Sequence, residues 1–166
     1  MGCDIHMYTE RWDKRTEKWQ SFDFWEMNPY YQEDPEDPED AKWEKKFHTV
    51  EFDGDRWYDK FSILSYGVRG EPEGPYAAEL GMPTDCHKEL AEQYILEDCD
   101  AHSVNHITVT DFRKLVAQYR VLRGSDSPLQ PMHEALNEHI QRKLKYKHLI
   151  DEQSMDEIRL VYWFDN

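Results

Sequence analysis

The segment IRLVYWF (158–164) decides the fold, because it gives the strongest strand signal in the chain. Its apolar residues fall on both faces, which is typical of a central strand that other elements cover on both sides. The opening residues 3–12 also predict a strand, since Cys3, Ile5 and Met7 alternate with polar residues. A sheet that pairs the first strand with the last strand fits both patterns.

Between these two segments the chain predicts further strands and several helices. WQSFDFW (19–25) reads as the return strand of a hairpin, and HTVEF (48–52) as a short strand. A short helix ends at Gly67, and residues 97–107 are predicted to be irregular. Three longer helices are predicted at 86–96, after a cap at Thr108, and at about 130–148. The predicted fold class is α+β, a mostly antiparallel sheet that includes the N- and C-terminal strands, with three to four helices packed against it.

Length and charge limit the number of domains and the partners that the protein can have. Its 166 residues suffice for one domain with a real core, so 1–166 is predicted to be a single domain. The net charge is −15, and QEDPEDPED (32–40) holds six acids and no base within an acidic loop predicted at about 27–46. Because binding to a nucleic-acid backbone requires basic stripes, this composition argues against such a partner.

Apolar runs and cysteines indicate the compartment. The sequence has no apolar run of eighteen residues, so no membrane span is predicted. Its three cysteines form no C-x-x-C motif, which argues against a disulfide framework and fits a reducing cytoplasm.

A D-x-H spacing recurs three times, which is a mild excess over chance. Asp4 and His6 lie two residues apart on the first predicted strand, so their side chains share one face. Asp100 and His102 stand just before a predicted helix. The third pair is interpreted differently, with Asp85 as the N-cap of the helix at 86–96.

Two of these pairs define a candidate metal centre. Asp4, His6, Asp100 and His102 would supply carboxylate and imidazole ligands to one divalent ion, either Zn, Mn, Fe or Ni. Water activated by that ion could attack a phosphoester or an amide. Two alternatives stay open at this point. Asp4 and His6 could form a buried hydrogen-bonded network that supports the sheet, or an acid–base pair that works without metal.

The segment DGDR (53–56) adds further candidates. Asp55 is predicted to act as a catalytic base or ligand together with His102, and Arg56 to grip a phosphate or carboxylate. Tyr58 and Ser103 complete the predicted substrate-binding set. The chain has no P-loop, G-x-G-x-x-G or H-E-x-x-H motif, which argues against common NTPase, dinucleotide-binding and zincin functions.

Several short blocks occur in an order that resembles a known family. MGCDIH at the start, DRWYDKF (55–61), GMPTD (81–85), DAHS (100–103) and RLVYWFDN (159–166) look like a family of small phage and prophage proteins that begin MGCDIH and whose function is unknown. The resemblance implies that the recurrent polar positions are Asp4, His6, Asp55, Arg56, Tyr58, Asp59, Asp100, His102 and Ser103.

This chain departs from the family pattern at two places. Trp57 stands where a small polar residue is expected, and Val104 and His106 replace the usual stretch that contains Ser and Trp. The acidic loop at 32–40 looks like an insertion that occurs in this chain and not in the rest of the family it resembles. The resemblance implies a location in the cytoplasm of a bacterial host.

Three alternative functions are therefore considered, in order of preference. The first is a divalent-metal-dependent hydrolase of a small polar, nucleotide-like substrate. The second is a non-enzymatic counter-defence protein that sequesters a nucleotide signal, and the third is an acidic DNA mimic that inhibits a host protein partner. The sequence leaves open whether the protein is an enzyme and what its oligomeric state is.

Overall fold

The computed structural model describes residues 4–31, 47–50, 52, 63–65, 80–97, 101–145 and 157–165. Within them the six strands are β1 (Asp4–Asp13), β2 (Lys18–Ser21), β3 (Trp25–Met27), β4 (Phe47–Thr49), β5 (His102–Thr108) and β6 (Ile158–Asp165). The three long α-helices of this part of the chain are α1 (Lys88–Glu97), α2 (Val109–Arg123) and α3 (Leu129–Lys145), and a 3-10 turn, Gly124–Asp126, follows α2.

The main sheet has four antiparallel strands in the order β2-β1-β6-β5. The first and last strands pair from Asp4 opposite Asp165 to Arg11 opposite Ile158. A smaller antiparallel sheet joins β3 to β4, with Met27 opposite Phe47. The predicted α+β class and the pairing of the terminal strands are confirmed.

Helices cover both faces of β6, as its two-sided apolar pattern predicts. One face, here called the α2–α3 face, presents Ile5, Met7 and Tyr162 to a core built from α2 and α3. The opposite face, the α1 face, presents Tyr8 and Trp163 to a second core that includes Leu90 of α1 and other neighbours. Because consecutive strand residues point to opposite faces, one central strand supplies both cores.

Local signals place the two longer helices as expected. Thr108 accepts a hydrogen bond from the backbone N–H of Asp111 and caps α2, and Gly124 ends that helix with φ +66. In α3 a stripe at four-residue spacing, Met132, Leu136 and Ile140, is buried against the sheet. The stripe supplies the apolar face that the periodicity predicts.

The segment 97–107, which the sequence predicts to be irregular, contains a strand. β5 occupies His102–Thr108, and a bulge between His102 and Asn105 interrupts its register with β6. Ser103 sits at the bulge with φ +55. A bulge breaks the two-residue alternation on which strand prediction depends, so Val104 and Ile107 do not reveal the strand in the sequence.

Other predicted bounds shift by a few residues. The return strand predicted at 19–25 ends at Ser21, and Trp25 already belongs to β3. The first helix begins at Lys88 and not at Cys86. Most of the predicted acidic loop, 32–46, and the segment before Gly67 lie outside the described residues, apart from 63–65. None of the helices in the described part is long and apolar enough to cross a membrane.

Candidate functional site

One end of the β1–β6 pair carries a carboxylate and an imidazole side by side. Nε2 of His6 lies 3.3 Å from Oδ2 of Asp165, and the two side chains keep 15% and 30% of their surface exposed. The backbone of Asp4 stands directly opposite Asp165 in the register. We call these three residues the polar end of the sheet. Both side chains are partly exposed, but Nε2 of His6 is itself buried.

Aromatic packing fixes the orientation of the His6 ring. The imidazole stacks on Trp163, with ring centroids 5.7 Å apart and planes inclined by 21°. Trp163 is fully buried and also contacts the rings of Tyr8, at 5.2 Å, and Tyr94, at 5.3 Å. A side chain held by a rigid neighbour is preorganised for binding, because it loses little further rotamer freedom.

His102 lies at the same end of the sheet but belongs to the other face. It pairs with Phe164, whereas His6 pairs with Trp163, and these neighbours on β6 point in opposite directions. The register therefore separates the two imidazoles that the sequence analysis assigned to one ion.

The His102 side chain has a clear local partner. Its Nδ1 lies 2.9 Å from Oγ of Ser103, and its Nε2 is buried without a hydrogen-bond partner among the described residues. A buried polar atom of this kind calls for a partner such as water or a ligand. His102 and Ser103, which are neighbours in the sequence, are thus in contact at the bulge.

The remaining predicted residues lie outside the described part of the chain. These are Asp55, Arg56, Tyr58 and Asp100, together with the side chain of Asp4. Among the described residues, no group of three or more His, Cys, Asp or Glu side chains could hold a metal. The predictions for these residues stay predictions.

A buried charge network at the opposite end of the α1 face was not predicted. Nε of Arg159 donates to Oε2 of Glu10 at 2.7 Å, and its Nη1 donates to Oδ1 of Asp85 at 2.9 Å. The guanidinium also lies over the ring of Trp19, 4.0 Å from its centroid. The sequence holds a partial signal, because Glu10 falls on the polar side of the first strand. Its partner, however, lies 149 residues away.

The same network organises the start of α1. Oε1 of Glu10 accepts a hydrogen bond from the backbone N–H of His87, so a buried carboxylate meets the N-terminus of the helix. Asp85, which the sequence predicts as the cap, instead accepts from Arg159 and from Nε1 of Trp19, the latter at 3.0 Å. Partial burial raises the pKa of Asp85, but the hydrogen bond and charge of Arg159 outweigh that effect and lower it.

A cavity of about 540 Å³ opens beside this network, between the β1–β2 hairpin and the start of α1. We call it the tryptophan pocket, since Trp12 and Trp19 form part of its wall opposite Asp85 and Cys86. Its volume falls in the usual range of small-molecule sites. Burial raises the pKa of the Cys86 thiol, so this cysteine is protonated and a weak nucleophile.

A third polar cluster links β1 to α3 through Thr9, Asp23 and His139. Both carboxylate oxygens of Asp23 accept from the backbone N–H of Thr9, whose hydroxyl lies 3.1 Å from Nε2 of His139. Burial raises the pKa of Asp23 to about 7 and lowers that of His139 to about 4. The adjoining cavity is only about 10 Å³, room for roughly one water. Among the described residues this space is too small for a substrate, and we interpret the cluster as structural.

Comparisons with protein-family models, with curated proteins and with solved structures give no match. The function must therefore be argued from the geometry of these three clusters.

Proposed function

We propose that the protein is a divalent-metal-dependent hydrolase of a small polar, nucleotide-like substrate, and that the ion binds at the polar end of the sheet. The proposed ligands are His6 and Asp165, together with Asp4, which stands opposite Asp165. This set keeps Asp4 and His6 from the predicted ligands, adds Asp165 and leaves out His102.

The separation of 3.3 Å between Nε2 of His6 and Oδ2 of Asp165 carries the proposal. Two ligand atoms that each lie about 2.0–2.2 Å from a tetrahedral ion are roughly 3.3–3.6 Å apart. A charge-assisted hydrogen bond between the same groups is shorter, about 2.7–2.9 Å. The spacing therefore suits two ligands of one ion. His48 and Glu26 on the small sheet have a similar spacing of 3.2 Å, so what distinguishes the proposed site is Asp4, which stands opposite Asp165.

The proposed ligands restrict the choice of metal to Zn, Mn, Fe or Ni, since these metals accept imidazole and carboxylate ligands together. A bound ion supplies Lewis acidity and lowers the pKa of water. It also offsets repulsion, because a chain with a net charge of −15 would otherwise repel a phosphate.

His102 and Ser103 take supporting roles in this proposal. His102 pairs with Phe164, the residue next to Asp165, so both imidazoles flank one end of β6. In keeping with the sequence analysis, we assign His102 to proton transfer and Ser103 to substrate binding. Because His102 lies on the other face of the sheet, this assignment requires a substrate that extends past the end of β6. Asp55 as a second base, and Arg56 and Tyr58 as substrate-binding residues, remain part of the proposal. Asp100 remains a predicted additional ligand.

A thermal-shift titration of tag-free protein tests metal binding. At a free metal concentration a hundredfold above Kd, binding adds about 2.7 kcal/mol to the free energy of unfolding. For a chain of this size, that gain raises Tm by roughly 5–11 °C. His6→Ala and Asp165→Asn should remove the shift.

A matched control is available on the small sheet. Nε2 of His48 lies 3.2 Å from Oε1 of Glu26 across the β3–β4 pair, outside the proposed site. His48→Ala should leave the metal-induced shift unchanged. If no metal raises Tm, or if His48→Ala removes the shift as His6→Ala does, the proposed centre is wrong.

Hydrolysis is tested on the metal-loaded protein with para-nitrophenyl phosphate, bis-para-nitrophenyl phosphate and a nucleotide mixture. Cleavage that is lost in Asp165→Asn supports the hydrolase. Nucleotide that binds and is recovered intact after denaturation would favour the sequestering protein instead. The DNA-mimic hypothesis instead predicts that deleting residues 32–40 weakens the binding of the protein to a host protein.

A further inference from the structure

We infer that the tryptophan pocket is a second binding site, which takes a small planar cation of the amidinium or guanidinium type. This inference is independent of the metal centre. Arg159, beside the pocket, and Asp165 at the polar end stand six residues apart on β6, which corresponds to about 20 Å along a strand. One small molecule cannot occupy both sites.

The pocket is poorly suited to an anion, even though a helix begins there. The N-terminus of a helix normally attracts phosphate or carboxylate groups. Here the buried carboxylate of Glu10 already accepts the backbone N–H of His87. A bound phosphate would therefore meet the carboxylate of Asp85 at a position where the helix start is already satisfied.

The charges around the pocket also favour a cation. Lys88 lines it, but Nζ of this residue pairs with Oε1 of Glu92 at 3.1 Å, one turn along α1. Among the other lining residues that the structure describes, the carboxylates of Glu17 and Asp85 face one cation, Lys18. Arg159 pairs with Asp85 but does not line the cavity. The net charge of −15 adds a long-range attraction for cationic ligands.

Asp85 and the two indoles supply the recognition. The carboxylate of Asp85 is held by Arg159 and Trp19, yet its side chain keeps 59% of its surface exposed, so further lone pairs can accept from a ligand. Trp12 and Trp19 meet edge to face, with ring centroids 5.5 Å apart and planes at 68°. An aromatic corner beside a carboxylate binds a flat cation through ring contact and N–H donation together.

Three matched probes test this assignment on the full-length protein: benzamidinium, benzamide and benzoate. They share one shape and differ in charge. Binding is followed through the indole N–H signals in two-dimensional ¹H–¹⁵N NMR spectra. Since Nε1 of Trp19 donates to Asp85, its signal reports directly on a ligand at that carboxylate. Benzamidinium should shift the Trp19 signal and saturate, with a Kd about tenfold or more below that for benzoate.

Variants separate the pocket from non-specific binding. Asp85→Asn should weaken benzamidinium binding by about tenfold, the loss of one charge-assisted contact. Trp12→Phe should weaken it less, because a smaller ring remains. Trp25→Phe, on β3 and outside the pocket, is the matched control and should bind as the parent protein does.

The spectrum of each variant also shows whether it is folded, so a lost signal is not mistaken for lost binding. Benzoate binding as tightly as benzamidinium would overturn the assignment of a cation. Shifts that spread over all indole signals, binding unchanged in Asp85→Asn, or no saturable shift with any probe would overturn the pocket itself.

Discussion

Replacing Arg159 with methionine should destabilise the protein far more than replacing its partner Asp85 with asparagine. Arg159 and Glu10 form a pair whose side chains are 7% and 1% exposed, with the Nε–Oε2 distance at 2.7 Å. Removing the guanidinium leaves the Glu10 carboxylate in the interior without a cation. Breaking a buried pair in this way costs about 3–5 kcal/mol.

The second carboxylate of the network should matter much less. The Asp85 side chain is 59% exposed, so water replaces most of what Arg159 gives it. Exposed ion pairs contribute up to about 1 kcal/mol, and Asp85→Asn keeps an oxygen that can accept from Arg159 or Trp19. The ratio between the two losses is thus set by burial, because both contacts have good geometry.

Equilibrium urea unfolding of the parent and the variants measures both losses. A third variant, Glu10→Leu with Arg159→Met, removes both buried charges and should recover most of the stability, since an apolar pair of similar volume is often neutral or better. If Arg159→Met costs less than about 1 kcal/mol, or if the double variant is no more stable than Arg159→Met, the reasoning is refuted.

Two further predictions concern the third polar cluster and the cap of α2. Burial raises the pKa of Asp23 from 3.8 to about 7, so the stability that its protonated form provides is lost as pH rises toward 7. Asp23→Asn stays neutral, and its stability relative to the parent should rise by about 2–3 kcal/mol between pH 5 and pH 7 in urea unfolding; a constant difference would contradict the burial of a charged Asp23. Burial lowers the pKa of His139 from 6.5 to about 4, so the contribution of this residue to the stability of the protein increases as pH rises from about 4 to 6.5. In the parent protein this increase partly hides the loss that Asp23 causes. Thr108→Ala should cost about 1 kcal/mol and Thr108→Ser much less, because only the alanine variant leaves the Asp111 N–H without its cap; equal losses in thermal unfolding would show that the hydroxyl is not the cap.

Local signals in the sequence predict much of the fold. Alternation predicts β1, an apolar run on both faces predicts β6, a four-residue repeat predicts α3, and Thr108 predicts the start of α2. β5 escapes prediction because the bulge at Ser103 shifts its apolar residues out of alternation. A pattern read over a few residues cannot register a defect that depends on the neighbouring strand.

The polar clusters depend on contacts that no local pattern contains. The D-x-H spacing predicts that Asp4 and His6 share a face, but the contact of His6 with Asp165 requires the register of β1 against β6. A slip of one residue would place Asp165 on the other face of the sheet. Glu10 with Arg159, and Thr9 with His139, likewise join residues 149 and 130 positions apart.

Equilibrium dialysis with elemental analysis tests the metal centre most directly. Tag-free protein, stripped with a chelator, is dialysed against Zn, Mn, Ni or Fe in parallel with His48→Ala and Asp165→Asn. The account predicts one tightly held ion per chain in the parent and in His48→Ala, and its loss in Asp165→Asn. Equal metal content in the parent and Asp165→Asn, or no retained metal in the parent, would contradict it.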